Sequence, residues 1–295
     1  MPNAQPIVLD ASAIASVYSI APNSTAGDRG QIQHRIDLIE IWEIQPGERV
    51  LEIGCGQGDC TVTLAHAVGE GGHVTAVDPA PLDYGSPYTL GQAQAHLSAS
   101  IVGSRIRFVQ AEPVAFLEST KEHYTTAVLA HCIWYFASPK TLSDILATLA
   151  TRADRICLAE YALTASDPRS FPHVLAALTQ ASLECRKAVS QSNIRTVLSP
   201  TAIREKAAEV GLELLKEKTI TPVETMFDGI WEVGAVLSDR FVEEIKTHVH
   251  GEREQAVIFA SRDSVQANRD AVKAKGEKLR TMDVWASLYR RKTSP

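Results

Sequence analysis

A chain of 295 residues, 45% hydrophobic and only 6% aromatic, can bury a sizeable core as one decorated domain or as a domain with a small cap. Its net charge of −6, with acids interspersed among Lys and Arg even in the Lys-rich stretch 262–291, gives no general pull on phosphate backbones, so no nucleic-acid partner is expected. No apolar run nears the ~18 residues of a membrane span; Pro2, Gln5 and Asp10 stand where a signal sequence is basic then apolar, and five cysteines without paired metal spacing suit a reducing, cytoplasmic setting.

Residues 1–27, with Pro2, Pro6, Pro22, Asn23 and Gly27, read as an extended arm carrying one short helix around Ser12 to Tyr18. Asp28 then caps a helix over 29–44, in which Ile32, Ile36 and Ile39 form an apolar face and which Pro46-Gly47 stops. Val50, Leu51 and Ile53 predict a buried parallel strand. Gly54, Gly56 and Gly58 follow at once, and glycines there let the backbone turn sharply and lie against a ligand. A helix from Cys60 to about Ala67 places that turn at a helix N-terminus. A pyrophosphate loop reads G-x-G-x-x-G. Here the third glycine comes one residue early, Asp59 follows it, and Glu52 adds a negative charge that repels an anion and favours an ammonium or sulfonium group.

The second strand, 72–78, ends at Asp78, a carboxylate able to accept both hydroxyls of a ribose. Pro79-Ala80-Pro81 and Gly85-Ser86-Pro87 make a rigid connection to a helix over 90–100. Strands at 105–110 and 126–130 come next, then a helix over 139–152 and a strand over 155–162. From 166 to 194 the pattern is helical again. Ser199-Pro200 supplies an N-cap and first-turn proline for a helix that reaches Val210, Gly211 ends it, and 212–220 forms the sixth strand. The last strand is 282–290, with Val284, Ala286 and Leu288 alternating against Trp285 and Tyr289. Between these two strands, 221–281 carries a helical pattern through Phe241, Ile245, Val257, Ile258 and Val265. A structureless loop of that length is implausible inside a domain, which makes this segment a helical lid.

The run Glu52-x-Gly54-x-Gly56-x-Gly58, followed by Asp78, by Ala111-Glu112 after the third strand and by His131 after the fourth, resembles the class I S-adenosylmethionine-dependent methyltransferases. Within them it is similar to the broad small-molecule group that includes the ubiquinone and menaquinone enzymes. The resemblance is ordered over roughly 45–165. It implies an α/β, doubly wound, seven-stranded and mostly parallel sheet with an antiparallel last strand, and S-adenosyl-L-methionine as cofactor. The cofactor contacts it implies are Glu52, Gly54, Cys55, Gly56 and Gly58 in the loop, Asp78 and Pro79 at the ribose, Ala111 and Glu112 near adenine, and His131. Arg29 and Gln33, on the helix that crosses the cofactor in this family, would reach toward the methionine carboxylate. The expected division is an N-terminal arm and helix (1–46), a cofactor-binding core (47–165), a helical insertion (166–198), the rest of the sheet (199–220 and 282–291) and the lid (221–281).

Methyl transfer from a sulfonium is an in-line displacement, so positioning is the main task. A dry aromatic pocket excludes water and tolerates dispersed cationic charge, and Trp134, Tyr135, Tyr161, Phe171, Phe227 and Trp231 are its candidate linings. His131 is the candidate general base, with Glu160 as the second choice. The segment Ala130-His131-Cys132-Ile133 lacks the Asp/Asn-Pro-Pro-aromatic pattern of nucleobase amino methylases and the paired acids of magnesium-dependent catechol-type enzymes, so neither base flipping nor a metal is expected. These features together predict metal-independent methyl transfer to a small, partly apolar metabolite. A cyclising or rearranging enzyme on the same fold, or a nicotinamide oxidoreductase, stands as the alternative. The substrate, the acceptor atom (O, N, S or C) and the oligomeric state stay open.

Overall fold

The computed structural model describes residues 7–21, 25–190 and 192–292; the expected arm residues Pro2, Pro6, Pro22 and Asn23 lie outside them. Seven strands are present in it: β1 (Arg49–Ile53), β2 (His73–Asp78), β3 (Ile106–Gln110), β4 (Tyr124–Ala130), β5 (Ala153–Tyr161), β6 (Leu212–Ile220) and β7 (Val284–Arg291). They form one sheet in the order β3-β2-β1-β4-β5-β7-β6. β1 to β5 pair in parallel, while β7 runs antiparallel to both β5 and β6. The order reverses between β1 and β4, and at such a switch point the carboxyl ends of the strands open a crevice. The central strands are apolar runs because both faces of the sheet are covered.

On one face lie α1 (Ala11–Tyr18), α2 (Ala26–Trp42), α3 (Asp59–Val68) and α4 (Leu90–Ser98), whose Ile14, Ile32, Trp42, Leu64 and Leu97 pack against Val50, Val74 and Val128. On the other lie α5 (Pro113–Ser119), α6 (Pro139–Leu149) and, after α7 (Phe171–Glu184), α8 (Pro200–Glu209), which bring Leu117, Leu142, Leu146 and Ile203 against Leu51, Ile53 and Leu129. The helices α9 (Asp228–Val236), α10 (Asp239–His248) and α11 (Glu252–Ala274) share a third core with α7, built on Ala176, Leu183, Val233, Ile245 and Val265. The stem of this helical group is fixed by the buried Asp283. Its Oδ2 accepts from Thr164 Oγ1 (2.9 Å), Ser166 N (2.8 Å) and Ser166 Oγ (2.9 Å), and its Oδ1 from Thr221 Oγ1 (3.0 Å). Both ends of the segment between β6 and β7 thus meet the turn after β5 at one carboxylate.

Several boundaries differ from expectation. The cap of α2 is Thr25, whose hydroxyl accepts from Asp28 N at 3.0 Å, while Asp28 reaches back to Thr25 N at 2.8 Å. Asp28 is therefore the third residue of a reciprocal cap rather than the cap itself. The helix ends at Trp42 because Glu43 turns into the left-handed region (φ 57°). The helical stretch expected over 166–194 stops at Glu184. Beyond it Lys187 folds back to Glu184 Oε1 (2.5 Å) and across to Glu244 Oε2 in α10 (2.6 Å), and the polar Ser190, Ser192 and Asn193 favour turns over helix. The short α5, opened by Pro113 at its first position, was not anticipated.

Candidate functional site

After β1 the chain makes the tight bend that its glycines permit. Gly54 has φ 75°, and a Cβ on it would stand 2.5 Å from Cys132 Cβ, so only glycine lets β1 and the turn after β4 approach this closely. Gly56 differs. Its φ is 51° and a Cβ there would meet nothing within 4 Å, because its α-carbon faces an open groove of about 580 Å³. That volume falls in the range of roughly 300–1,000 Å³ typical of small-molecule sites.

Gly54, Gly56, Asp78, Pro79, Glu112, Cys132 and Tyr135 line this groove from the strand ends. The opposite wall comes from the segment after α7, with Ser192, Asn193 and Arg195, and Tyr84 donates to Asn193 Oδ1 across the rim. Asp78 is held from both sides: Oδ2 accepts from Gly56 N at 2.8 Å and Oδ1 from Ala80 N at 2.9 Å. Each oxygen keeps a further lone pair for a ligand hydroxyl. Ala111 stands behind it, its N–H donating to Asp78 O at 3.1 Å. The residues present therefore fit a nucleoside: an open glycine cradle, a carboxylate fixed beside it and apolar walls. A wider depression of about 640 Å³ beside β6 is bordered by Asp37, Glu40, Lys216 and Lys218, away from the switch point.

Glu52, Cys55 and Gly58 stand outside the groove lining. Glu52 is buried, accepts from Thr61 Oγ1 at 2.5 Å, and burial pushes its carboxyl up to about 7 with help from Asp59, against the Thr61 bond that lowers it. Burial thus disfavours its charged form, and the acids that face the groove are Asp78 and Glu112. Arg29 lies exposed in the first turn of α2, and Gln33 Nε2 donates to Asp37 Oδ1 one turn along, at 2.9 Å. Neither lines the groove. The inward polar residues of that helix are instead Gln31, His34 and Arg35.

His131 closes β4 with a left-handed backbone (φ 54°), and its ring enters a buried cluster rather than the groove. Its Nε2 shares a hydrogen with His34 Nε2 at 2.9 Å, and its Nδ1 lies 3.6 Å from Glu160 Oε1. Tyr161 packs against it with ring centroids 4.6 Å apart, and against Trp134 at 5.3 Å and His173 at 5.0 Å. Tyr161 OH donates to Asp228 Oδ1 at 2.8 Å and Gln31 Nε2 to Asp228 Oδ2 at 2.6 Å. Burial holds His131 and His34 well below the usual imidazole range, which disfavours the charged form of both rings. Glu160 is pushed up to about 7 by burial, countered by the N–H groups of Tyr161, Trp134 and Ile133 that it accepts; both of its oxygens serve the backbone. Among the described residues no group of three or more His, Cys, Asp or Glu is arranged as a metal-ligand set.

The six aromatic candidates are not gathered into one pocket. Tyr135 lines the groove, and Trp134 and Tyr161 pack together behind it. Trp134 is buried, its Nε1 donating to Leu198 O at 2.9 Å. Phe227 and Trp231 form an edge-on pair at 6.5 Å, with Trp231 57% exposed, and Phe171, 43% exposed, lies on the outer side of α7 near Arg169 and Asn268. Gln31, His34, His173 and Asp228 escaped the sequence reading. α2 is buried on most sides, so its periodicity hides Gln31 and His34, while His173 on α7 and Asp228 at the start of α9 join them only in the folded chain.

A methyltransferase-domain family model matches residues 50–152, and a model of protein-L-isoaspartate(D-aspartate) O-methyltransferases matches residues 14–84. The chain is 31% identical to methyltransferase phomM of Diaporthe leptostromiformis, over 86% of this chain and 82% of that one. Among solved structures, a cyclopropane-fatty-acyl-phospholipid synthase-like protein of Lactobacillus casei ATCC 334 has a TM-score of 0.79 at 27% identity, covering 95% of this chain and 97% of that one. Coclaurine N-methyltransferase bound to N-methylheliamine and SAH shares the fold, with a TM-score of 0.52, 13% identity and coverage of 90% and 71%. No helix among the described residues is long and apolar enough to cross a membrane.

Proposed function

Because the chain belongs to the class I S-adenosylmethionine-dependent methyltransferases, we propose that the groove at the carboxyl ends of β1, β2 and β4 is where its cofactor sits. It is an enzyme that moves a methyl group from S-adenosylmethionine to a small molecule. When bound, the cofactor supplies an electrophilic methyl carbon on a sulfonium. The open face of Gly56 would take the nucleoside, Asp78 would accept the ribose hydroxyls through its spare lone pairs with Pro79 beside it, and Glu112 would border the adenine end. The carrying observation is that open cradle with Asp78 clamped beside it.

Transfer demands a nucleophile held ~3–3.5 Å from the methyl carbon, opposite sulfur, with water kept out. The walls of the groove and the helical lid over 221–281 do that work in this scheme. Proton removal falls to the His34–His131 pair. Two neutral imidazoles sharing one hydrogen between their Nε2 atoms have one further hydrogen for two outer Nδ1 atoms, so whichever tautomer holds, one outer Nδ1 keeps a lone pair. We further assign 1–46, 47–165, 166–198 and 221–281 to arm and helix, cofactor core, insertion and lid. The five cysteines, none paired in a disulfide, support a reducing, cytoplasmic setting.

Incubation with methyl-labelled S-adenosylmethionine and a metabolite library tests the function. Label in a product is expected; conversion without label supports a rearranging enzyme instead. Calorimetry is expected to show uptake of S-adenosylmethionine and none of NAD.

A further inference from the structure

The buried cluster behind the groove carries more polar atoms than it satisfies. Gln31 and His34 come from α2, His131 and Tyr161 from the ends of β4 and β5, His173 from α7 and Asp228 from α9, and the contacts given above join all six. Yet Gln31 Oε1, His34 Nδ1, His131 Nδ1 and His173 Nε2 are each buried without a hydrogen-bond partner, as is Nη1 of the neighbouring Arg35. Burying a polar atom without a partner forfeits its hydration with nothing in return, so four or five within one cluster point to a ligand that completes them.

The hydrogen-bond pattern states what that ligand must offer. His173 Nδ1 accepts from Met282 N at 3.1 Å, so its hydrogen is on Nε2, an unused donor. Gln31 spends its amide nitrogen on Asp228, which leaves Oε1 as an unused acceptor. The His34–His131 pair adds one outer donor and one outer acceptor. A group that both donates and accepts hydrogen bonds matches this set, whereas an alkene or alkyl chain would leave every one of these atoms unpaired. The cluster also adjoins the groove. His131 is followed directly by Cys132, which lines the groove, as does Tyr135.

We propose that the acceptor is an N–H or O–H compound whose head group is received by Gln31, His34, His131, His173 and Asp228, and is not a hydrocarbon methylated at carbon; this rests on the methyl-transfer function proposed above. In the transfer the head group's nitrogen or oxygen bonds the methyl carbon, the carbon–sulfur electron pair stays with sulfur, and the released proton goes to the outer Nδ1 that holds a lone pair.

The test uses the full chain saturated with S-adenosylhomocysteine and three probes of matched shape, 2-phenylethanol, 2-phenylethylamine and ethylbenzene, titrated by calorimetry. At least one of the two hydrogen-bonding probes is expected to bind tenfold or more tighter than ethylbenzene. In Gln31→Met that preference is expected to fall at least fivefold while S-adenosylhomocysteine affinity stays within twofold of wild type. If the nucleoside binds but the three probes bind equally, ethylbenzene binds tightest or none binds, the cluster is a hydrated structural core and this inference fails alone. If the nucleoside itself does not bind, the methyl-transfer function fails with it. The wild-type comparison decides even where the variant does not fold.

Discussion

A carboxylate clamped by two backbone amides is a preorganised acceptor, and Asp78 is the residue on which cofactor recognition turns in the proposed site. Asp78→Ala is expected to weaken S-adenosylmethionine binding by about 1–3 kcal/mol, since ribose hydroxyls lose their acceptor; isothermal titration of a folded variant checks this. His131→Ala removes half of the imidazole pair, and turnover is expected to fall ~10²–10⁴-fold with cofactor affinity nearly unchanged. Near-normal turnover across pH would end that role. His173 supports a stability test. Burial depresses its imidazole to about 3, while the unfolded side chain titrates near 6.5. The unfolded state therefore binds the extra proton as pH falls below about 6.5, and stability is lost on the acid side. Between pH 7 and pH 5 this amounts to about 2 kcal/mol. His173→Asn keeps an acceptor for Met282 N and lacks the titration, so urea unfolding is expected to show a wild-type advantage at pH 7 that shrinks by that amount at pH 5. At this scale the glycine bend and Asp78 were legible because their meaning lies in local spacing. Gln31, His173 and Asp228 were not, because a contact such as Gln31 to Asp228 joins segments that only the folded lid brings together.

Lys187 ties three elements at once: the end of α7 through Glu184, α10 through Glu244, and the groove wall through Ser192, whose hydroxyl also donates to Glu184 Oε1 at 2.6 Å. Its side chain and that of Glu184 are each only 5% exposed, so loss of the ammonium strands buried carboxylate charge. Lys187→Met is expected to cost about 2–4 kcal/mol in denaturant unfolding, and to raise KM for S-adenosylmethionine more than it lowers kcat, because Ser192, Asn193 and Arg195 lose their tether. Unchanged stability and KM would show the bridge to be idle. Most elements were readable from sequence. The β6 range 212–220 and the Ser199-Pro200 start of α8 are reproduced residue for residue, since the Ser-Pro cap and Gly211 act locally. The end of α7 was not readable, because it is set by Lys187 reaching α10, and α5 is too short to show a helical period.

Across the whole molecule, two cores cover the sheet faces and a third joins α7 to the helices between β6 and β7, so most reactive side chains are shielded together. Four of the five cysteines are buried and Cys185 alone is exposed, and burial raises the thiols of Cys55, Cys60, Cys132 and Cys157. A disulfide reagent is accordingly expected to modify one thiol in the native protein and five after denaturation; rapid modification of more than one would mean that a core opens on the timescale of the assay. The helical segment leaves after Ile220 and returns before Val284, and those two residues are paired partners in the sheet, with Asp283 stitching the junction. An insertion whose two ends leave from one rung of a ladder behaves as an exchangeable cassette. In the proposed scheme, exchanging it would change which molecule is methylated while leaving untouched the strand ends assigned to the nucleoside.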